Sequence, residues 1–312
     1  MKKLILGTRG SPLALIQTRS VAALLRARFP DLVVEEKIIV TDGDNQLDRS
    51  LVNMGGKGAF TEALEAELLN GQVDGAVHSC KDLPTLLPEG LALSAVPSRA
   101  PVEDVLITKP GLTLFTLPEG SRVATGSLRR QILLKRLRPD LIIRDIRGNV
   151  GTRLAKLDDG VADALILARA GLERLQLSER ITEVLDAELF LPAVGQGALA
   201  IETRTGDERV IELLRACADM ETDRLCIMAE RALLSSLGGG CQLSLGVISK
   251  CISGQLILRA QLISPDGLDC LDVTEEGLLA EAEAIGRLAG KALLQAGGKA
   301  ILAAFENRGG VA

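Results

Sequence analysis

The 312-residue chain contains no tryptophan and no tyrosine, only five phenylalanines, and a single histidine, His78. Without stacking aromatics, and with a net charge of −5, it lacks the platforms and the basic balance of a nucleic-acid-binding protein. One histidine and no C-x-x-C pair give no basis for a zinc site, so no metal centre is expected. Cys80, Cys217, Cys226, Cys241, Cys251 and Cys270 are unpaired in spacing. A chain of this size needs no disulfide framework, so they read as reduced thiols of a cytoplasmic protein. Apolar runs long enough to span a membrane are missing, and no membrane partner is expected. Met1-Lys2-Lys3-Leu4-Ile5-Leu6-Gly7 begins like a secretion signal, but Arg9 cuts its apolar stretch short, and it reads as a first strand. The phosphate-loop spacing G-x-x-x-x-G-K-[ST] is also absent. Gly55-Gly56-Lys57-Gly58-Ala59-Phe60 matches it only superficially, which argues against a nucleotide-dependent transferase. That segment reads as a glycine-rich lid carrying Lys57, with Phe60 at its tip, or as an ordinary flexible loop.

What is present is an aliphatic chain, 47% hydrophobic, whose cores must be packed with Leu, Ile, Val and Ala. Its length suits two or three domains. Strands and helices alternate. Leu4–Leu6 reads as a buried strand, and Ser11 as the cap of a helix with Pro12 in its first turn, stopped by Pro30. A strand at 33–40, a helix at 61–69 and a strand at 73–77 follow. The rhythm restarts with strands at 122–125, 141–146 and 164–167 and helices from Leu128 and about Val150. Such alternation predicts two open α/β lobes, joined by a linker at Val96-Pro97-Ser98-Arg99-Ala100-Pro101. Beyond Asp219 a long helix (221–237) ends in a glycine run. Strand-like segments near 245–248, 256–263 and 268–273 and a helix from about Leu278 to Gln295 predict a small α+β domain.

Two features far apart in sequence carry the chemistry. Cys241 follows Gly238-Gly239-Gly240, a backbone stripped of side chains, where a bulky group can approach and attach to the thiol. A buried cysteine can instead be only a small apolar residue. Residues 122–153 hold nine Arg and Lys against two acids, Asp140 and Asp145, a local surplus of seven positive charges in an acidic protein. In Gly126-Ser127-Leu128-Arg129-Arg130-Gln131 two arginines open a helix, where positive charge opposes the dipole unless an anion sits there. Arg147-Gly148-Asn149-Val150-Gly151-Thr152-Arg153 repeats the device at the next strand-to-helix turn. Guanidinium pairs suit carboxylates or phosphates. His78-Ser79-Cys80-Lys81-Asp82 follows a buried strand, where open α/β sheets place ligands. Lys81 and Asp82 are either a plain ion pair or an anion-holding lysine beside an acid/base or cation-stabilising carboxylate.

These residues resemble those of the hydroxymethylbilane synthase (porphobilinogen deaminase) family over nearly the whole chain. The matching motifs are Thr8-Arg9-Gly10-Ser11-Pro12-Leu13-Ala14, Gly55-Gly56-Lys57-Gly58, His78-Ser79-Cys80-Lys81-Asp82, Ser127-Leu128-Arg129-Arg130-Gln131, Arg147-Gly148-Asn149-Val150-Gly151-Thr152-Arg153-Leu154, Leu191-Pro192-Ala193-Val194-Gly195-Gln196-Gly197-Ala198 and Gly239-Gly240-Cys241-Gln242. The resemblance implies a transferase that condenses four porphobilinogens head to tail, releasing ammonia, in tetrapyrrole biosynthesis. It implies a dipyrromethane cofactor thioether-linked to Cys241 and a catalytic Asp82. Cofactor-binding roles fall on Lys81, Thr125, Ser127, Arg129 and Arg130, and substrate-binding roles on Arg9, Ser11, Arg147, Arg153 and Arg174. It further implies two lobes like type II periplasmic binding proteins, 1–98 with a returning 197–215 and 102–193, plus a C-terminal domain, 219–312, in a monomer. A solute-binding or effector domain could share such lobes, but would not need Cys241. The chain departs from the family pattern at Asn53, where many members carry lysine, and at Gly126, where serine is common.

Overall fold

Three sheets organise the chain in a computed structural model that describes residues 3–41, 61–239 and 243–309. The first sheet has the order β2-β1-β3-β10-β4. Its strands are β1 (Lys3–Thr8), β2 (Val33–Ile38), β3 (Gly75–Ser79), β4 (Leu91–Ala95) and β10 (Leu199–Arg204). β1 pairs in parallel with β2 and β3, whereas β10 inserts antiparallel between β3 and β4. Helix α1 (Pro12–Arg28) forms where expected: Ser11 Oγ accepts from Ala14 N at 3.3 Å, and Pro12 stands in the first turn. Its buried side chains, Val21, Ala22 and Leu25, meet Leu4, Leu6, Val77 and Ile201 in one core. Helix α2 (Glu62–Leu69) covers the opposite face through Leu64 and Leu68.

The second sheet has the order β7-β6-β8-β5-β9, formed by β5 (Asp104–Ile107), β6 (Arg122–Ala124), β7 (Ile142–Arg144), β8 (Ala164–Ala168) and β9 (Glu183–Val184). β6 pairs in parallel with β7 and β8, and β5 is antiparallel to β8. Helices α3 (Leu128–Leu137), α4 (Val150–Asp158) and α5 (Arg169–Arg174) follow β6, β7 and β8. The chain then returns to the first sheet through β10 and α6 (Glu208–Ala218). A third sheet, β11 (Leu245–Ile252), β12 (Gln255–Ile263) and β13 (Cys270–Leu278), is an antiparallel meander. It packs against α7 (Glu221–Ser236) and α8 (Ala282–Leu293), with α9 (Lys299–Gly309) closing the described chain.

Some boundaries differ from the sequence reading. β3 begins two residues later than expected, because turn-closing bonds from Gln72 and Val73 N–H to Glu67 O extend the end of α2. Strands β4, β5 and β9 and helices α6 and α9 were not legible locally. The expected helix from Leu278 starts at Ala282, since β13 pairs along its full length with β12. The linker is not a loose tether. Val96 N–H donates to Asp219 Oδ1 at 2.9 Å, and Ala100 N–H donates to Gly197 O at 3.2 Å. Gly197, at φ +85°, lets the outgoing and returning strands cross at backbone contact: a Cβ there would lie 2.3 Å from Ala100 O.

Candidate active site

The functional motifs gather where strands give way to helices. Arg9 and Ser11 lie between β1 and α1, and Lys81 and Asp82 in the single turn Cys80–Asp82 after β3. Thr125 and Ser127 lie between β6 and α3, Arg147 between β7 and α4, and Arg153 within α4. These are the carboxyl ends of parallel strands in two sheets, the usual place for ligands in open α/β folds. One pocket is lined by Arg9, Ser11, Gln17, His78, Ser79 and Asp82. Gln17 Nε2 donates to Ser79 Oγ at 2.9 Å and fixes the end of β3 against α1.

A buried carboxylate absent from the sequence reading organises the second lobe's wall. Asp104, fully buried at the start of β5, accepts from Arg129 Nη2 and Arg130 Nη2, both at 2.6 Å, and from Gln196 Nε2 at 2.8 Å. Arg129 also donates to Leu191 O and lies over the Phe190 ring, 5.7 Å from its centroid. Arg130 Nη1 donates to Ile166 O at 3.2 Å. Burial alone would raise the Asp104 carboxyl, but the two guanidiniums overcome that and hold it far below the usual carboxylate range. The two arginines thus do not stand free at the start of α3. They are side chains of a buried two-to-one ion cluster with one positive charge to spare.

That surplus is felt across the cleft. Lys81 keeps solvent access but is walled by protein. This enclosure first, and Arg130 second, lower its ammonium to about 8, with Asp82 and Asp104 opposing. Arg153 is likewise lowered by burial, then by Arg130 and Arg147, against the pull of Asp82 and Asp145. Arg153 Nε donates to Gly148 O and Arg147 Nε to Asp145 Oδ2, each at 2.8 Å. Arg130 is therefore close enough to repel both Lys81 and Arg153, Arg147 repels Arg153, and Asp82 attracts Lys81 and Arg153. Thr125 is buried, and its hydroxyl accepts from Ser127 N–H at 3.3 Å. Ser127 is the N-cap residue of α3 but makes no capping bond with its side chain. Arg174, at the end of α5, donates from Nη2 to Gly197 O at 2.7 Å and so joins the second lobe to the returning strand.

Other arginines of the 122–153 stretch serve structure instead. Arg122 pairs with Asp163 at 2.9 Å, Arg138 pairs with Asp140, and Arg136 caps carbonyls of Gly267 and Leu268. Cys241, Lys57, Phe60 and Asn53 lie outside the described residues. The shoulder of the cysteine loop is described: Gly239 has φ +57°, and a Cβ there would stand 3.3 Å from Thr85 Cβ, three residues past Asp82. Sequence reasoning missed Asp104, Gln196 and the buried pair His78–Glu202. The one available signal for Asp104 was an acid opening an otherwise apolar strand, Asp104-Val105-Leu106-Ile107.

Two family models match the chain. "Porphobilinogen deaminase, dipyromethane cofactor binding domain" spans residues 4–212, and "Porphobilinogen deaminase, C-terminal domain" spans 224–295. A porphobilinogen deaminase of Chlorobaculum parvum is 48% identical over 97% of each chain. One of Syntrophobacter fumaroxidans is 46% identical over 95% of this chain and 96% of its own. Among solved structures, a Salmonella typhimurium periplasmic binding protein with arginine specificity is 13% identical, with a TM-score of 0.42, covering 69% of this chain and 91% of that one. With models covering most of its length and relatives this similar end to end, the chain belongs to the porphobilinogen deaminase family.

Proposed function

We propose that the chain is a hydroxymethylbilane synthase that joins four porphobilinogens head to tail, releasing ammonia at each step, with Asp82 as its catalytic carboxylate and Cys241 as the attachment point of a dipyrromethane cofactor. One observation carries this reading: enclosure first, then Arg130 on both and Arg147 on Arg153, lowers the affinity of Lys81 and Arg153 for their protons, while Asp82 pulls on each the other way. A cleft whose cations destabilise one another is relieved by a ligand with several carboxylates. Each porphobilinogen ring carries two, an acetate and a propionate.

The residues fit the cofactor. The single spare charge of the Asp104 cluster, Lys81 and the Ser127 hydroxyl offer donors for carboxylates, and Gly239, two residues before Cys241, lies against Thr85. When bound, dipyrromethane supplies a fixed primer with a free pyrrole end. Lys81, Thr125, Ser127, Arg129 and Arg130 hold its side; Arg129 and Arg130 each keep a buried Nε without a hydrogen-bond partner among the described residues. Arg9, Ser11, Arg147, Arg153 and Arg174 serve the incoming substrate. Asp82, in the turn after β3 and in the same pocket as Arg9, is the carboxylate we assign to the substrate's pyrrole N–H. There its negative charge stabilises the cation left when ammonia departs. The lobes are residues 1–98 with 197–215 and 102–193, with 219–312 as the cofactor-bearing domain. The enzyme works as a cytoplasmic monomer. Incubation of purified protein with porphobilinogen tests the whole reading: ammonia and hydroxymethylbilane should appear in a four-to-one ratio. Tight binding without ammonia release would leave a binding protein instead.

A further inference from the structure

Behind the Asp82 pocket lies a second group of titratable side chains. His78 directs Nε2 at Glu202 Oε2, 3.1 Å away, across the antiparallel pairing of β3 and β10, and both residues are buried. Glu65 on α2 is 5% exposed and close enough to Glu202 and His78 to feel the charge of each. Glu65 Oε1, Glu202 Oε1 and Thr61 Oγ1 are buried without a hydrogen-bond partner among the described residues. The group is not sealed off, because Thr61 and His78 line the same pocket as Arg9 and Asp82. Glu62, also on α2, is the other charged side chain acting on Glu65.

Two buried carboxyl groups, each with an oxygen that lacks a partner among the described residues, are costly to hold with two negative charges, which favours a shared proton there. Burial raises the Glu65 carboxyl above its ordinary range, and Glu202 adds to the rise. The pairing of His78 with Glu202 gives that proton a way toward the pocket wall.

We propose that Glu65, Glu202 and His78 form a buried proton store that exchanges with the Asp82 pocket during each condensation. This inference rests on the porphobilinogen-condensing reading. Cleavage of the substrate C–N bond leaves the electron pair on nitrogen, and the ammonia formed takes a proton from the store through His78 and departs as ammonium. Once the new carbon–carbon bond exists, the C–H bond at the joined ring carbon breaks. Its electrons restore the aromatic ring, and the proton returns to the store. The store ends each cycle as it began.

The test combines infrared spectroscopy of the active holoenzyme, labelled with 13C-glutamate, with steady-state kinetics. Exposed glutamates are ionised near neutral pH, so a protonated-carboxyl band there reports a buried acid. The native protein should show such a band, Glu65→Gln should lose it, and His78→Gln should shift it. In Glu65→Gln, kcat should fall about tenfold, below the 10²–10⁴ of a group that transfers protons directly, with KM unchanged and the pH profile of kcat altered. Glu202→Gln, read by the same two measurements, serves if Glu65→Gln does not fold. Native enzyme that turns over without the band, or Glu65→Gln with native kcat and pH profile, overturns the store alone. Native protein that releases no ammonia overturns the functional reading and the store together.

Discussion

Asp104 and Asp82 are both carboxylates among arginines, yet their surroundings give them opposite work. Asp104 is fully buried and holds two guanidiniums. Asp104→Ala strands both, and the loss should be about 3–5 kcal/mol, as for other buried ion clusters that lose one partner. A urea midpoint that falls at constant slope is the expected result. Asp82 stays in contact with solvent. Asp82→Asn should leave that midpoint in place and lower turnover by at least ~10²-fold, the scale for one electrostatic catalytic group. Lys81 adds a pH dependence with a definite sign. Its ammonium is held at about 8, so the attraction for carboxylates is present below that pH and fades as pH rises through it. Calorimetry with a pyrrole bearing acetate and propionate, but no aminomethyl group, should show weaker binding over that range. Lys81→Arg, permanently charged, should abolish the decline.

At the scale of elements, legibility followed how local each signal was. α1 was readable because Ser11, Pro12 and the apolar spacing of Val21 and Leu25 all lie within it. β10 was not readable from local pattern, because its partners β3 and β4 lie more than a hundred residues upstream; only the family resemblance placed a returning segment there. The motif around Arg129 and Arg130 was found, but an anion at the helix start was expected to balance it. The balancing acid is Asp104, 25 and 26 residues away in sequence. Lys81, Asp82 and Arg147 stood out in the sequence because each follows a strand, and Arg153 because it lies in the first turn of the helix after one. The glycines before Cys241 had a readable purpose, and Gly239 tests it. Gly239→Val places a branched side chain at φ +57° and against Thr85, a strain of about 1–2 kcal/mol from the backbone alone. The fraction of protein carrying cofactor at Cys241 should drop, while the third sheet folds normally.

Across the whole molecule, Glu230 ties the parts together. Buried on α7, it accepts from Arg99 Nη1 at 2.7 Å and Nη2 at 3.1 Å, from Gly195 N–H at 2.8 Å, and from Ser249 Oγ at 2.6 Å. Linker, return crossing and third sheet thus share one carboxylate on α7. The account of the cleft stands on a covalent primer at Cys241 facing the cations around Asp82. Peptide mass spectrometry of the purified, active protein tests this most directly. The peptide containing Cys241 should carry the added mass of dipyrromethane, and Cys241→Ser should carry none and be inactive. An unmodified Cys241 peptide from protein that converts porphobilinogen to hydroxymethylbilane would contradict it.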